Sequence, residues 1–327
     1  MSTEQIRVAQ DATTKPASRE LQRRLEEAET GVDYEVGLES LGQWQIAWRK
    51  FRRHRLAMVG LAILVCLILI AVVVPVFLPF DVLKVPAPDV IVPKGRPPMI
   101  PEHIFGETGG LQRDVWELVA NGARTSLFVG FSSMAIGVLL GTVVGSISGF
   151  FGGFADTLLM RAVDVMLSLP LLFVILVASR FFGNGNAMLI VVIFGLFSWM
   201  GVSRLVRSLF LSLREQDFVE AARAVGVSEV RIAFRHILPN AISPIVVVAS
   251  LIVAANIITE AFVSFLGFGI STTTPTWGNI LTNALTYIPQ GNWWWPFFPG
   301  MAIVLTVLAV NFIGDGLRDA LDPRTRV

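Results

Sequence analysis

Apolar residues along this chain gather into six long runs, and the polar stretches between them hold nearly all of the charge. The runs cover approximately residues 56–79, 126–149, 165–182, 187–210, 242–265 and 296–313. A hydrocarbon layer roughly 30 Å thick is crossed by about 20 apolar residues at about 1.5 Å each. The pattern therefore predicts an all-α membrane protein with six transmembrane helices. The third run is the least regular, because Asp156, Arg161 and Asp164 closely precede it and Pro170 lies inside it.

Cations set the expected orientation. Arg49, Lys50, Arg52, Arg53 and Arg55 stand directly before the first run, whereas the nearest cation after it is Lys84. Positive charges beside a span stay on the cytoplasmic side, so the amino terminus is placed there and six crossings put both termini in the cytoplasm. Residues 1–40 are polar, of mixed charge and poor in aromatics, and read as a disordered cytoplasmic tail. Residues 41–80 combine a surface helix with the first span: Leu41, Trp44, Trp48 and Phe51 recur at three or four residues among cations, the pattern of an interfacial amphipathic helix. Residues 81–125 form an extracytoplasmic loop, with Pro86, Pro88, Pro93, Pro97, Pro98 and Pro101 early on and a helical stretch over 112–123. A five-helix core follows over 126–317, and 318–327 form a cytoplasmic tail. The second outer loop ends in Trp293, Trp294 and Trp295, which reads as an aromatic interface belt.

Composition narrows the function. Only 16% of the 327 residues are charged and 54% are hydrophobic, with a mean hydropathy of +0.66, against about 25% charged in an ordinary soluble domain. A net charge of +1 creates no field for nucleic acid. One cysteine, Cys66, and three histidines supply neither an internal disulfide nor a metal cluster, so no metal site and no cofactor are expected. No GxxxxGK[ST] motif occurs, and none of Lys15, Lys50, Lys84 and Lys94 follows a glycine, so the chain cannot build a P-loop. HExxH and GxSxG are also absent. The reading is a protein without catalytic residues; if it moves a solute uphill, another subunit supplies the energy.

Two features inside the spans stand out. Ser133, Gly137, Gly141, Gly145 and Gly149 recur every fourth residue, a ridge of small residues on which another helix can dock closely. Glu260 lies toward the outer end of the fifth span, where an unpaired charge costs at least ~2.5 kcal/mol. It must face protein or water, either as a pore or gate residue or as a carboxylate hydrogen-bonded locally. Asn311 and Asp315 read as structural, and Cys66 as a small hydrophobe.

The largest cytoplasmic loop, 211–240, reads as two short helices. The first covers 214–225, with Phe218, Ala221, Ala222 and Val225 on one face, and turns at Gly226. The second starts with Ser228 as N-cap and Glu229 in its first turn, and is stopped by Pro239. Glu220 and Arg223 offer charged contacts, and small Ala221 and Ala222 keep the surface shallow.

Here the residues resemble a known family. Glu220-Ala221-Ala222, three residues, Gly226 and then Leu238-Pro239 resemble the EAA loop of ABC importer permeases. His236 stands where that pattern has isoleucine, and the run from Arg235 to Asn240 is similar to the dipeptide and oligopeptide version. Arg113-Asp114-Val115, the stretch from Gly122 to Leu127, Pro275-Thr276-Trp277-Gly278, Phe298-Pro299-Gly300 and the stretch from Gly314 to Pro323 are similar to the C-type subunit of those importers. Gly106-Glu107-Thr108, Gln112-Arg113-Asp114 and a long proline-rich stretch depart from it, all on the outer face.

The resemblance implies the type I ABC importer permease fold in a bacterial or archaeal inner membrane. It implies half of a pore, completed by a homologous permease subunit, two cytoplasmic ATPases and an extracytoplasmic solute-binding protein that delivers peptide. Glu220, Ala221, Ala222, Arg223, Gly226 and Val227 would then form the helix that seats in an ATPase cleft. Related permeases carry nickel chelates, glutathione or oligosaccharides, and these remain alternatives. A stand-alone secondary transporter would show inverted repeats with interrupted helices; no such pair is found.

Overall fold

The computed structural model describes residues 43–78, 94–99, 103–182 and 185–321. The chain divides into two compact units, Met1–Ile46 and Ala47–Val327, and the architecture below is that of the second. The expected tail over 1–40, the prolines at 86, 88, 93 and 101, the side chains of Leu41 and Trp44, and the last six residues lie outside the described residues.

Helices account for the described secondary structure apart from isolated bridges near residues 99–114. In chain order they are α1 (Gln43–Arg53), α2 (Arg55–Phe77), α3 (Val115–Phe151), α4 (Gly153–Leu167), α5 (Leu171–Phe182), α6 (Ala187–Leu213), α7 (Asp217–Ala224), α8 (Glu229–Ile232), a π-helical turn (Ala233–Ile237), α9 (Leu238–Phe265), α10 (Trp277–Leu285), a 3-10 turn (Ile288–Gln290) and α11 (Trp294–Leu321). Among the described residues, five helices or helical runs are long and apolar enough to cross a membrane, and α4 with α5 forms a sixth candidate bent by 78°.

Packing shows how that bent pair must be counted. A Cβ on Gly137 would lie 2.6 Å from the Ser198 Cβ, one on Gly141 2.5 Å from the Val202 Cβ, one on Gly145 2.7 Å from the Val206 Cβ and one on Gly149 2.7 Å from the Phe210 Cβ. Both partners advance by four residues at each step, so α3 and α6 run parallel with their backbones nearly touching. The chain between two parallel spans must return across the membrane, and α4 with α5 is what returns it. Six crossings result. By contrast α2 meets α11 antiparallel: Gly60 abuts Ala309 and Phe312, while Ala57 abuts Gly316.

Several boundaries differ from those the sequence predicts. The helical stretch expected over 112–123 and the second span are one helix, α3, capped by Asp114, whose carboxylate accepts from the Trp116 and Glu117 N–H groups. The third span is broken at Ser168, Leu169 and Pro170, because proline lacks the N–H that would continue α4. Pro239 does not stop a helix. The π-helical turn ahead of it lets the Leu238 N–H reach the Ala233 carbonyl, and Pro239 then falls in the first turn of α9, where no N–H is required. Helix α11 begins at Trp294 and runs to Leu321, so residues expected in the carboxyl-terminal tail belong to it.

The aromatic belt is also corrected. Trp293 is exposed, but Trp294 and Trp295 are buried. The Trp294 indole N–H donates to the Glu107 carbonyl at 2.9 Å, and Phe105 stacks on Phe298 at 3.9 Å. Trp294 and Phe298 thus hold the loop ahead of α3 onto α11. At the other end of α11, Phe51 of α1 is buried with Ala57 and Ala320, whereas Trp48 stays exposed. Cys66 is exposed on α2.

Candidate coupling and gating sites

Helix α7 ends in a turn that favours glycine. Gly226 adopts φ +80°, the left-handed region that disfavours side chains with a Cβ. The Val227 N–H donates to the Ala222 carbonyl at 3.1 Å and the Gly226 N–H to the Arg223 carbonyl at 2.9 Å. These are the two bonds of a Schellman C-cap. Nothing lies within 4 Å of a Cβ placed on Gly226, so the outside of the turn is open.

Beneath the elbow lies a dry anchor. Val219, Ile232 and Ile237 are fully buried and pack with Val206, Phe210 and Ala222. The π-helical turn inserts an extra residue in that turn, which leaves Ile232 and Ile237 inside and Phe234 exposed. The face predicted for α7 is therefore split. Val219 and Ala222 point inward, whereas Phe218 and Val225 are exposed together with Glu220, Ala221 and Arg223. Ala222 holds the elbow to the membrane helices and is absent from its outer surface. Arg223 crosses the turn to Glu229, with its Nε donating at 3.1 Å. Both side chains are exposed, so the pair contributes little to stability. Arg223→Ala should leave chain levels and melting behaviour nearly unchanged in a detergent stability assay.

Helix α9 carries Glu260 into a closed polar knot. The side chain is 1% exposed. Ser126 Oγ of α3 donates to Oε2 at 3.0 Å, and Ser264 Oγ donates to Oε1 at 2.7 Å. Each hydroxyl accepts in turn from a backbone N–H: Ser126 from Trp277 at 3.2 Å, Ser264 from Ile270 at 3.2 Å. Trp277 adds a bond from its indole N–H to the Val119 carbonyl at 3.1 Å. The carboxylate thus fixes the start of α10 against α3 and α9. A capping box between Thr276 and Asn279 holds the same end of α10, and Gly278 abuts the Ala261 backbone. Beside α10 opens a half-enclosed cleft of about 690 Å³, lined by Arg113, Asn279, Asn283, Tyr287 and Trp295 among others.

The glycines of α3 and the residues around Glu260 are thus brought into one helical bundle, while the α7–α8 elbow projects at the end where Gly149 meets Phe210. Two further features were not singled out from the sequence. Asn256 donates to Ser133 Oγ at 2.8 Å and accepts from Ser198 Oγ at 3.2 Å, tying α9 to α3 and α6. Arg207 Nη2 donates to Asp156 at 2.6 Å, Ser148 donates to the same carboxylate, and Arg214 reaches the Gly149 carbonyl at 3.3 Å. For the second of these the available signal was a set of charges too close to apolar runs to be solvated by bulk water. Among the described residues no group of three or more His, Cys, Asp or Glu side chains could hold a metal ion.

Among the described residues, a bundle of six crossings with a projecting helical elbow defines a multi-pass membrane protein. Residues 141–327 match the family of binding-protein-dependent transport system inner membrane components, and residues 42–89 match the N-terminal transmembrane domain of oligopeptide transport permease C. The chain is 38% identical over 287 residues to the dipeptide transport system permease protein DppC of Bacillus subtilis, covering 88% of each chain. It is 36% identical to the oligopeptide transport system permease protein OppC of the same organism, over 91% of this chain and 95% of that one. It is 39% identical to OppC of Haemophilus influenzae, over 89% and 92%. The chain belongs to the binding-protein-dependent transport system inner membrane component family, and it is a multi-pass permease component of the type I fold.

Proposed function

We propose that this chain is one of the two permease subunits of an ATP-driven importer of short peptides. It supplies half of the translocation pore, a homologous permease supplies the other half, and a solute-binding protein delivers cargo to the outer face. Two cytoplasmic ATPases hydrolyse ATP, so the chain itself performs no chemistry. Its termini and the α7–α8 elbow face the cytoplasm, in keeping with the cations at 49–55.

The observation that carries this reading is the elbow. Glu220, Ala221, Arg223 and Gly226 present a shallow exposed surface, and the buried Val219, Ala222, Ile232 and Ile237 bind that surface to the ends of α6 and α9. A push or pull on the elbow is therefore delivered to the spanning helices rather than absorbed by a loose loop. Val227 closes the Schellman turn and stiffens the element. The alternating states of the ATPase dimer would then bias two arrangements of the bundle.

Glu260 is assigned to the outer gate, as the residue that clamps α10 rather than as a pore-lining charge. Glu260→Gln keeps the shape but gives the amide an acceptor at only one of its two positions, so one serine loses its acceptor. Peptide uptake should fall several-fold, with ATPase subunits still copurifying. Unchanged transport kinetics would remove Glu260 from the gate.

The deciding experiment is a gentle detergent pull-down of the tagged chain, with mass spectrometry and an ATPase assay on the eluate. Recovery of a second permease, ATPase subunits and a solute-binding protein supports the importer, and the ligand in the binding protein names the cargo. Recovery of the chain alone without ATPase activity overturns it in favour of a stand-alone transporter.

A further inference from the structure

Helices α4 and α5 are exposed on most sides, and two features of their surface, with a third on the facing side of α6, are incompatible with lipid. Ser168, Leu169 and Pro170 are exposed at a 78° break within a crossing. Non-helical backbone at membrane depth is found only where protein covers it or water fills the space beside it. One turn before the break, Asp164 is 46% exposed and accepts from Arg204 Nη2 at 2.6 Å. Arg204 is itself 51% exposed; it lies about 14 Å of helix before the end of α6, level with the interval between Gly141 and Gly145 on α3.

The rest of that face of α6 continues the pattern. Gly201 and Ser208, three residues before and four after Arg204, are exposed as well, and nothing lies within 4 Å of a Cβ on Gly201. Arg161 is 79% exposed and approaches Asp164 only at 3.9 Å. The neighbouring Arg207 is matched by Asp156. Among the described residues Asp164 is thus the one carboxylate in ion-pair range of either Arg161 or Arg204, and the strip holds a surplus positive charge. A dry contact with a second protein would have to neutralise that surplus with another buried carboxylate. A water-filled passage needs no such partner, and an anionic group entering it finds an arginine fork.

We infer that the strip formed by the break at Ser168–Pro170, Asp164, Arg161, Arg204 and Gly201 walls the translocation path, and that Arg161 and Arg204 receive the carboxylate of a passing peptide. This rests on the peptide-importer reading and adds the residues that cargo touches.

The test uses the complete complex in proteoliposomes, with Cys66→Ala to remove the native thiol. The parent complex is first shown to take up trialanine; failure at that step counts against the peptide reading and not against the strip. A Ser168→Cys variant is then treated on either side with a membrane-impermeant sulfonated methanethiosulfonate, with and without ATP. The expected result is labelling in at least one state, slowed by trialanine during turnover. Arg204→Gln should raise KM for trialanine about tenfold, as expected for a lost charge-assisted bond, and leave KM for trialanine amide unchanged, with Arg204→Lys restoring much of the difference. A thiol that resists labelling in every state, or that crosslinks to the second permease instead, overturns the proposal. So does an equal change in KM for the acid and the amide, which a merely structural ion pair would produce.

Discussion

Gly226→Asp should reduce peptide uptake to background while the chain is still made, inserted and folded. The fold survives because the site is open: no atom lies within 4 Å of the new Cβ, and the anchor beneath consists of Val219, Ile232 and Ile237, none of which the substitution touches. The local cost is about 1–2 kcal/mol for a side chain at φ +80°, with a smaller charge penalty at the C-terminal end of α7. That is small beside the stability of a whole domain. Under the proposed coupling role uptake fails for another reason: the carboxylate stands on the exposed surface of the elbow, where an ATPase cleft would close. Gly226→Asn separates the two effects, because asparagine has nearly the same shape and tolerates the left-handed conformation. It should keep most of the uptake. The measurements are initial transport rate, chain level in the membrane and recovery of ATPase subunits on the tagged chain. Equal loss with Asn and Asp would mean that turn geometry rather than surface charge is at stake; normal uptake with Asp would remove the elbow from energy coupling.

Ala222 illustrates what the sequence does and does not reveal here. In a helix of eight residues with Phe218, Val219, Ala221 and Ala222, and Val225 at its C-cap, all apolar or small, the 3.6-residue period permits more than one inward face. The choice is made by Phe210, Ile232 and Ile237, which lie before and after it in the chain. A charged residue at position 222 would enter that cluster and damage the fold, so it cannot serve as a probe of the outer surface. Ala221 can.

The spans themselves were legible because lipid imposes its requirement residue by residue: a run of apolar side chains is needed whatever the tertiary contacts. What fails locally is the grammar of soluble helices. Proline at 239 reads as a terminator only if the preceding turn is α-helical, and the π-helical turn at Ala233–Ile237 removes the conflict. Proline at 170 does break the helix, and the charges at 156, 161 and 164 were visible as irregularities, but Arg204 and Arg207, the partners of Asp164 and Asp156, lie 40 and 51 residues away from them. Trp294 and Trp295 follow the same logic. Next to a span they suit an interface belt, and only the loop ahead of α3, which folds back with Phe105 and Glu107, shows that they are covered.

Gly141→Leu should remove the protein from the membrane almost entirely, a larger effect on chain level than any change at the elbow. In lipid no hydrophobic drive holds α3 against α6, so the contact depends on close van der Waals packing. At Gly141 a single added carbon would stand 2.5 Å from the Val202 Cβ and 2.7 Å from the Trp199 carbonyl oxygen. The nearer atoms belong to backbone or to the first carbon of a side chain, so no rotamer change can clear them. The helices must separate, and separation also strains the hydrogen bonds by which Asn256 joins Ser133 and Ser198. Overpacking alone costs about 1–3 kcal/mol, occasionally more; here the displacement is shared by all four glycine steps, which places the loss at the upper end. The same change at Gly300, where no atom lies within 4 Å of the new Cβ, should leave folding intact. Chain level after expression and the temperature of aggregation in mild detergent report the contrast. If Gly141→Leu matches Gly300→Leu in both, the glycine ridge is a passive feature of composition and α3 and α6 are held together by their polar bonds alone.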